Sequence, residues 1–177
     1  MTRLGAILAG GKSSRFGSDK AEALLDGVPL VEHVLTSLVK QCEAVVICGR
    51  ERKGAVCLAD IPTADEGPLG GLNAALLHAA SEGYDEILSV ACDNACLPAD
   101  LGAQLSPPPA YVADQPVIGL WPANLAPYLG DWLARQDHRA MMGWIEHIGA
   151  RAVRLRDKTA NINRPEDLAE LESRHGI

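Results

Sequence analysis

A three-layer α/β domain, with helices on both faces of a mostly parallel sheet, is the fold class this sequence predicts. Three observations predict it. Short apolar runs alternate with amphipathic stretches through the first half of the chain, the pattern of strand–helix–strand crossovers. The 177 residues suit one full domain. A hydrophobic content of 47% can fill a sizeable core, and with 4% aromatic residues that core must come mainly from Leu, Val, Ile and Ala.

The elements follow in order. Arg3 to Leu8 reads as a short apolar strand, and a glycine-rich loop from Ala9 to Lys20 follows it. From Pro29, the residues Val31, Val34, Leu35, Leu38 and Val39 fall on one stripe of a helix with proline at its start. Ala44 to Cys48 is a buried strand, Leu72 to Ala79 a second helix, and Glu86 to Ala91 a third main strand. In a parallel sheet, ligands bind beyond the carboxyl ends of the strands. That rule selects the loop after Leu8, the residues after Cys48, and Cys92 to Pro98.

The second half is less regular. Three consecutive prolines at 107–109 interrupt structure and divide a nucleotide-binding half, 1–105, from an acceptor-binding half, 106–177, of one domain. Val117 to Trp121 and Ala152 to Leu155 are expected as strands, Leu125 to Arg135 and Met141 to Ile148 as helices, and Pro165 to Ser173 as a terminal helix.

A formal charge of −7 gives nothing global that would attract nucleic acid or an anionic membrane, so any anionic substrate needs a local basic site. Five scattered cysteines argue against a secreted disulfide framework and read as buried thiols. The amino-terminal apolar run is too short for a signal peptide and no stretch approaches a membrane span, so a cytoplasmic location is expected.

Positive charge is concentrated in the loop after the first strand. Gly10, Gly11 and Gly17 allow backbone N–H groups to converge on phosphate oxygens, and Lys12, Arg15 and Lys20 add three cations against the single carboxylate Asp19. The loop is not a Walker A motif, because five residues intervene between Gly5 and Gly11 where that motif requires four before GK[ST]. Glycines at 10, 11 and 17 do not make G-x-G-x-x-G either. Composition alone leaves an ordinary solvated loop equally open, while its place after the first strand favours a phosphate cradle.

LAGGKSSRFGSDK at 8–20, GPLGG at Gly67 to Gly71, Asp93 near a strand end, and NINRPEDL at 161–168 together resemble the molybdenum cofactor guanylyltransferase family across nearly the whole chain. The resemblance implies a Rossmann-like, nucleotide-diphospho-sugar-transferase-like sandwich that moves GMP from GTP to molybdopterin with Mg²⁺, releasing pyrophosphate. It implies that Leu8, Ala9, Gly10 and Gly11 line the nucleotide, that Arg15 and Lys20 contact its triphosphate, and that Asp93 holds Mg²⁺. Asp60 and Gly70 fall on nucleotide-contacting positions of the pattern. Cys48 stands where the family often carries Asn, and Cys92 to Pro98 departs from D-x-P-x-L-P by having Ala95 in place of the proline. Asn161 and Asn163 would approach the pterin substrate, with Arg139 and Gln115 as further candidates. Proteins that deliver molybdopterin or mature molybdoenzymes are the implied partners. CTP or another phosphate acceptor, and a nucleotide-binding homologue impaired in catalysis, remain as alternatives.

Each of these residues also has a plainer reading. Asp93 could cap a loop, and Asn161 and Asn163 could form the turn before the last helix. Arg151, Arg154, Arg156 and Lys158 could hold a terminal phosphate or line a solvated strand edge. Cys92 and Cys96 lack the second close pair that zinc would need. The five histidines show no ligand spacing, and His33 and His78 are expected on helices.

Overall fold

The structure, a computed structural model, describes residues 1–10, 20–63, 67–135, 140–157, 159–162, 166–167, 169–170 and 173, with backbone alone at 20, 160 and 161. Its strands are β1 (Arg3–Leu8), β2 (Leu24–Leu25), β3 (Val28–Pro29), β4 (Ala44–Cys48), β5 (Val56–Leu58), β6 (Glu86–Ala91), β7 (Asn94–Ala95), β8 (Ala110–Val112), β9 (Gln115–Pro122), β10 (Arg151–Val153) and β11 (Ala160–Asn161). The helices are α1 (Leu30–Leu38), α2 (Pro68–Glu82), α3 (Leu101–Leu105), α4 (Ala126–Leu133) and α5 (Met141–Ile148).

Seven strands form one sheet in the order β10-β8-β9-β6-β1-β4-β5. β1 pairs in parallel with both β4 and β6, β4 with β5, and β10 with β8, whereas β9 is antiparallel to both of its neighbours. One reversed strand therefore sits among six that share a direction, and the carboxyl ends of β8 and β10 return to the edge where β1, β4, β5 and β6 end. β2 with β3, and β7 with β11, make two small ribbons beside the sheet.

Alternation along the strands sorts the core into two layers, as the period of two requires. Leu4, Ala6 and Leu8 of β1, Val46 and Cys48 of β4, Ile87 of β6 and Trp121 of β9 pack with α2, α4 and α5. Ile7, Ile47, Leu88, Val90, Ile118 and Leu120 face the other way, onto α1 and α3. The core is mostly aliphatic, with one exception. Trp121 and Trp144 are the largest fully buried side chains, and Trp132 lies 5.8 Å from Trp144 between ring centroids. At the amino edge, Glu86 is buried and takes Arg3 Nη2 at 2.6 Å. That carboxylate has a charged partner, without which its burial would be costly.

Met141–Ile148 matches the expected helix at both ends, and β1, β4 and β6 match the expected strands. β9 runs over Gln115–Pro122 where Val117 to Trp121 was expected, α4 over Ala126–Leu133 where Leu125 to Arg135 was, and three further expectations change. α1 ends at Leu38, and Val39 lies past the stripe at 56% exposure as the C-cap. α2 starts at Pro68, four residues before Leu72, because proline needs no N–H partner in a first turn. The strand expected at Ala152 to Leu155 is β10, one residue earlier at its start and two shorter at its end. Residues 166–167, 169–170 and 173 are helical, while the rest of the expected terminal helix lies outside the described residues. His33 and His78 lie on α1 and α2. All five cysteines are free, but only Cys48 is buried; Cys42, Cys57 and Cys92 are half-buried and Cys96 is exposed. No described helix is long and apolar enough to cross a membrane.

Candidate active site

The carboxyl ends of β1, β4 and β5 meet around the carboxylate of Asp60. Gly10 follows β1, and a Cβ there would stand 2.8 Å from Asp60 Oδ2. Gly49 follows β4 with φ +81°, and a Cβ there would meet the Gly10 Cα at 2.5 Å and Asp60 Oδ1 at 3.0 Å. Only glycine fits such an approach of one backbone to another. Gly71, in the first turn of α2, completes the enclosure, since its Cβ would lie 3.4 Å from Asp60 Oδ1. The carboxylate thus sits at the amino end of a helix, where negative charge is favoured.

A cavity of about 250 Å³ opens here, lined by Gly10, Gly49, Arg50, Glu51, Cys57, Leu58, Ala59 and Asp60. Its floor is held by backbone bonds from Ala9 N–H to the Cys48 carbonyl and from Gly49 N–H to the Leu58 carbonyl, both 2.9 Å. The mouth is tied to the turn that follows the glycine loop. Glu22 of that turn accepts from Arg52 Nη1 at 2.9 Å and lies 3.8 Å from Arg50 Nη2, while Arg52 also bonds Glu32 on α1.

Cys48 is fully buried in the core layer of Leu8 and Val46 and is not among the residues lining the cavity. Burial pushes that thiol up to about 12, with the negative charge of Asp60 and the neighbouring Cys57 adding to the effect. Its strand end shapes the floor through the backbone. Gly70 is also buried, and its carbonyl accepts from Ile61 N–H at 3.2 Å, which closes the Asp60 loop onto α2.

Asp93 follows β6, the strand on the other side of β1. Register places Leu8 beside both Cys48 and Ala91, so β4 and β6 are two strand spacings apart, about 10 Å. Cys92 N–H donates to the Leu8 carbonyl at 3.3 Å, which fixes the start of the Asp93 turn against the end of β1. The Asp93 carbonyl accepts from Ile162 N–H at 3.2 Å, and β7 pairs with β11, bringing Asn161 opposite Asn94. Ile162 is fully buried with Leu25, Leu30 and Ala95 and anchors this segment. The sequence positions of Asp93 and Asn161 therefore converge.

Lys20 opens a short 3-10 turn, Lys20–Glu22, whose next residue Ala21 is buried beside Ile7, Val90 and Leu97. The base of the basic loop is thus anchored in the core layer on the α1 side of the sheet. Gly11, Arg15, Arg139, Lys158 and Asn163 lie outside the described residues. Of the other arginines, Arg151 caps the end of α3 by donating to the Leu105 and Pro107 carbonyls, and Arg156 pairs with Asp100 at 2.6 Å. Arg154 lines a second cavity of about 450 Å³ with Ala113, Asp114, Leu155, Asp157 and Thr159, at the carboxyl ends of β8 and β10.

Residues 5–151 match the family described as MobA-like NTP transferase domain. A protein of Rhizobium leguminosarum bv. trifolii named molybdenum cofactor guanylyltransferase is 34% identical, over 95% of this chain and 90% of its own. One of the same name from Cereibacter sphaeroides is 35% identical over 98% and 97%. The chain belongs to the molybdenum cofactor guanylyltransferase family. Its fold recurs in the molybdopterin-guanine dinucleotide biosynthesis protein A of Archaeoglobus fulgidus, with a TM-score of 0.76 at 23% identity over 97% of this chain and 98% of that one. As a family member the protein is a nucleotidyltransferase.

The structure adds residues that the sequence did not single out. Gly49 and Gly71 enclose Asp60, and Arg50 and Glu51 line the cavity beside it. A glycine directly after an apolar strand was an available signal for the first. Asn94 and Thr159, considered below, carried none.

Proposed function

We propose that the protein transfers GMP from GTP to molybdopterin, forming the guanine dinucleotide of the cofactor and pyrophosphate. One observation carries this reading: the Asp60 cavity and Asp93 flank the end of β1 on a single sheet edge, with the base of the basic loop packed beside them. The name guanylyltransferase carried by the relatives supports a guanylyl donor and the molybdenum cofactor as acceptor, which we read as GTP and molybdopterin. A cytoplasmic location, a division of labour between residues 1–105 and 106–177, and help from proteins that deliver molybdopterin or receive the product belong to the same proposal.

The residues at Asp93 fit Mg²⁺. Among the described residues no three His, Cys, Asp or Glu side chains cluster, so a metal here would meet a single hard carboxylate rather than a zinc-type set. Mg²⁺ takes one or two protein carboxylates and completes its shell with phosphates and water. Held by Asp93, it would neutralise charge on the phosphate oxygens.

The chain supplies the rest of the chemistry. The acceptor is a phosphate that is already anionic at neutral pH, so alignment and charge neutralisation matter more than a general base. Leu8, Ala9, Gly10 and Gly11 would hold the nucleotide against the floor built on Cys48 and Gly70, and Asp60 would accept hydrogen bonds from it. Arg15 and Lys20 would absorb the charge that builds on pyrophosphate. Asn161 and Asn163 would bring the acceptor to the Asp93 side.

Incubation with Mg²⁺, molybdopterin and either GTP or CTP, followed by mass analysis of the pterin, tests the proposal. A GMP adduct formed only with GTP is the expected result. A CMP adduct would reassign the base, and GTP binding without any adduct would mark a homologue that has lost catalysis.

A further inference from the structure

A chain of side-chain amides crosses the acceptor side of the edge. Ala91 N–H donates to Asn94 Oδ1 at 2.7 Å, and Asn94 Nδ2 donates to Gln115 Oε1 at 2.8 Å. Gln115 Nε2 then donates to Thr159 Oγ1 and lies 3.5 Å from the carbonyl of the same residue. The direction of this chain is fixed. A backbone N–H can only donate, so the oxygen of Asn94 must face Ala91 and its NH₂ must face Gln115. The same rule turns the Gln115 NH₂ toward Thr159, whose hydroxyl accepts while keeping its own proton for another partner. Asn94 is 3% exposed, so water does not replace a lost partner there cheaply.

The chain begins and ends on the two segments that meet at Asp93. Asn94 closes the turn that presents Asp93, and the carbonyl of Asp93 accepts from Ile162 N–H, three residues past Thr159. Gln115 bridges them from the first position of the reversed strand. Counting on from the pairing of Ser89 with Gly119 brings Gln115 level with Asp93.

We propose that Gln115 is a positioning residue, whose amide couples the turn presenting Asp93 to the 159–162 segment and so holds the two sides of the reaction in one register. This rests on the transfer reaction assigned to the edge, and it adds a role that needs no contact between Gln115 and substrate.

Amide hydrogen exchange by NMR on the full chain, without substrate, tests the coupling. In Gln115→Leu and Thr159→Val, exchange at Ala91 and Ile162 should quicken roughly tenfold, the scale of one hydrogen bond lost. Thr159→Ser keeps the hydroxyl and should keep the protection, and Val46 in β4 should stay protected in every variant. With molybdopterin saturating and GTP varied, Gln115→Leu should lower kcat for GMP transfer roughly tenfold with KM for GTP unchanged. Unchanged protection at Ile162 in Gln115→Leu overturns the coupling, as does an equal loss at Val46, which would mean general destabilisation. A local response with wild-type kcat overturns the positioning role. A local response in a protein that forms no adduct overturns the transfer reaction and leaves the coupling standing.

Discussion

The two sides of the sheet edge are built on opposite plans. Around Asp60, precision comes from missing side chains: Gly10, Gly49 and Gly71 let three backbone segments close on one carboxylate. Around Asp93, it comes from side chains that reach across the fold, with Asn94, Gln115 and Thr159 linking segments distant in sequence. The first plan tolerates no added atom, and the second tolerates no lost donor. Substitutions should therefore fail in different ways on the two sides.

Asp93→Ala should have the largest effect, with turnover falling by on the order of a thousandfold and GTP binding retained, because the Asp60 cavity is untouched. Steady-state kinetics paired with calorimetric GTP binding would show it; parallel loss of binding would merge the two sides into one. Lys20→Ala comes next, at about a hundredfold in turnover, the scale of removing one preorganised charge-stabilising donor. Near-normal rates in that variant would remove Lys20 from the reaction. Gly49→Ala should cost about 2 kcal/mol of stability, from the strain of a side chain at φ +81° and its contact with Gly10. Urea denaturation reads that cost, and KM for GTP should rise while exchange at Ile162 stays as in the wild type.

The smallest effect sharpens the picture beneath the cavity. The Cys48 thiol ordinarily loses its proton near 9.0 but is pushed up to about 12 when folded. Between those values the folded protein holds a proton that the unfolded chain releases, so stability present below 9 is lost as pH rises. Cys48→Ala should flatten the alkaline decline by up to about 1.4 kcal/mol per pH unit. Cys42, also raised to about 12 by burial, should leave a residual slope. Denaturant titrations between pH 8 and about 11 would measure both.

Legibility followed the range of the physics involved. β1, β4, β6 and α5 could be read because apolar periodicity is local, and their ends located the edge at Leu8, Cys48 and Ala91. β5 and β8 have three residues each, too few to establish a period, and became visible only as partners of neighbouring strands, whereas the equally short β10 was anticipated with its bounds shifted. The buried state of Cys48 was within reach: it shares the parity of Val46, and in a sheet covered on both faces neither side can present a side chain to a ligand until the strand has ended. The glycines of LAGG pointed to close approach, but not that Asp60 would be what Gly10 approaches. Asn94 fills an unspecified position of the D-x-P-x-L-P pattern, Gln115 and Thr159 lie outside any motif, and their donors and acceptors meet only when β9 is laid against β6. Arg15, Gly11 and Asn163 stay at the level of the resemblance.

The reversal of β9 has a consequence for how this enzyme could be re-engineered. Because that strand starts where its neighbours finish, the 113–114 connection and the 154–159 segment border the second cavity without sharing a residue with the first. Exchanging the 113–114 connection, which leaves Thr159 and its bond to Gln115 in place, should therefore alter the second cavity without touching the first.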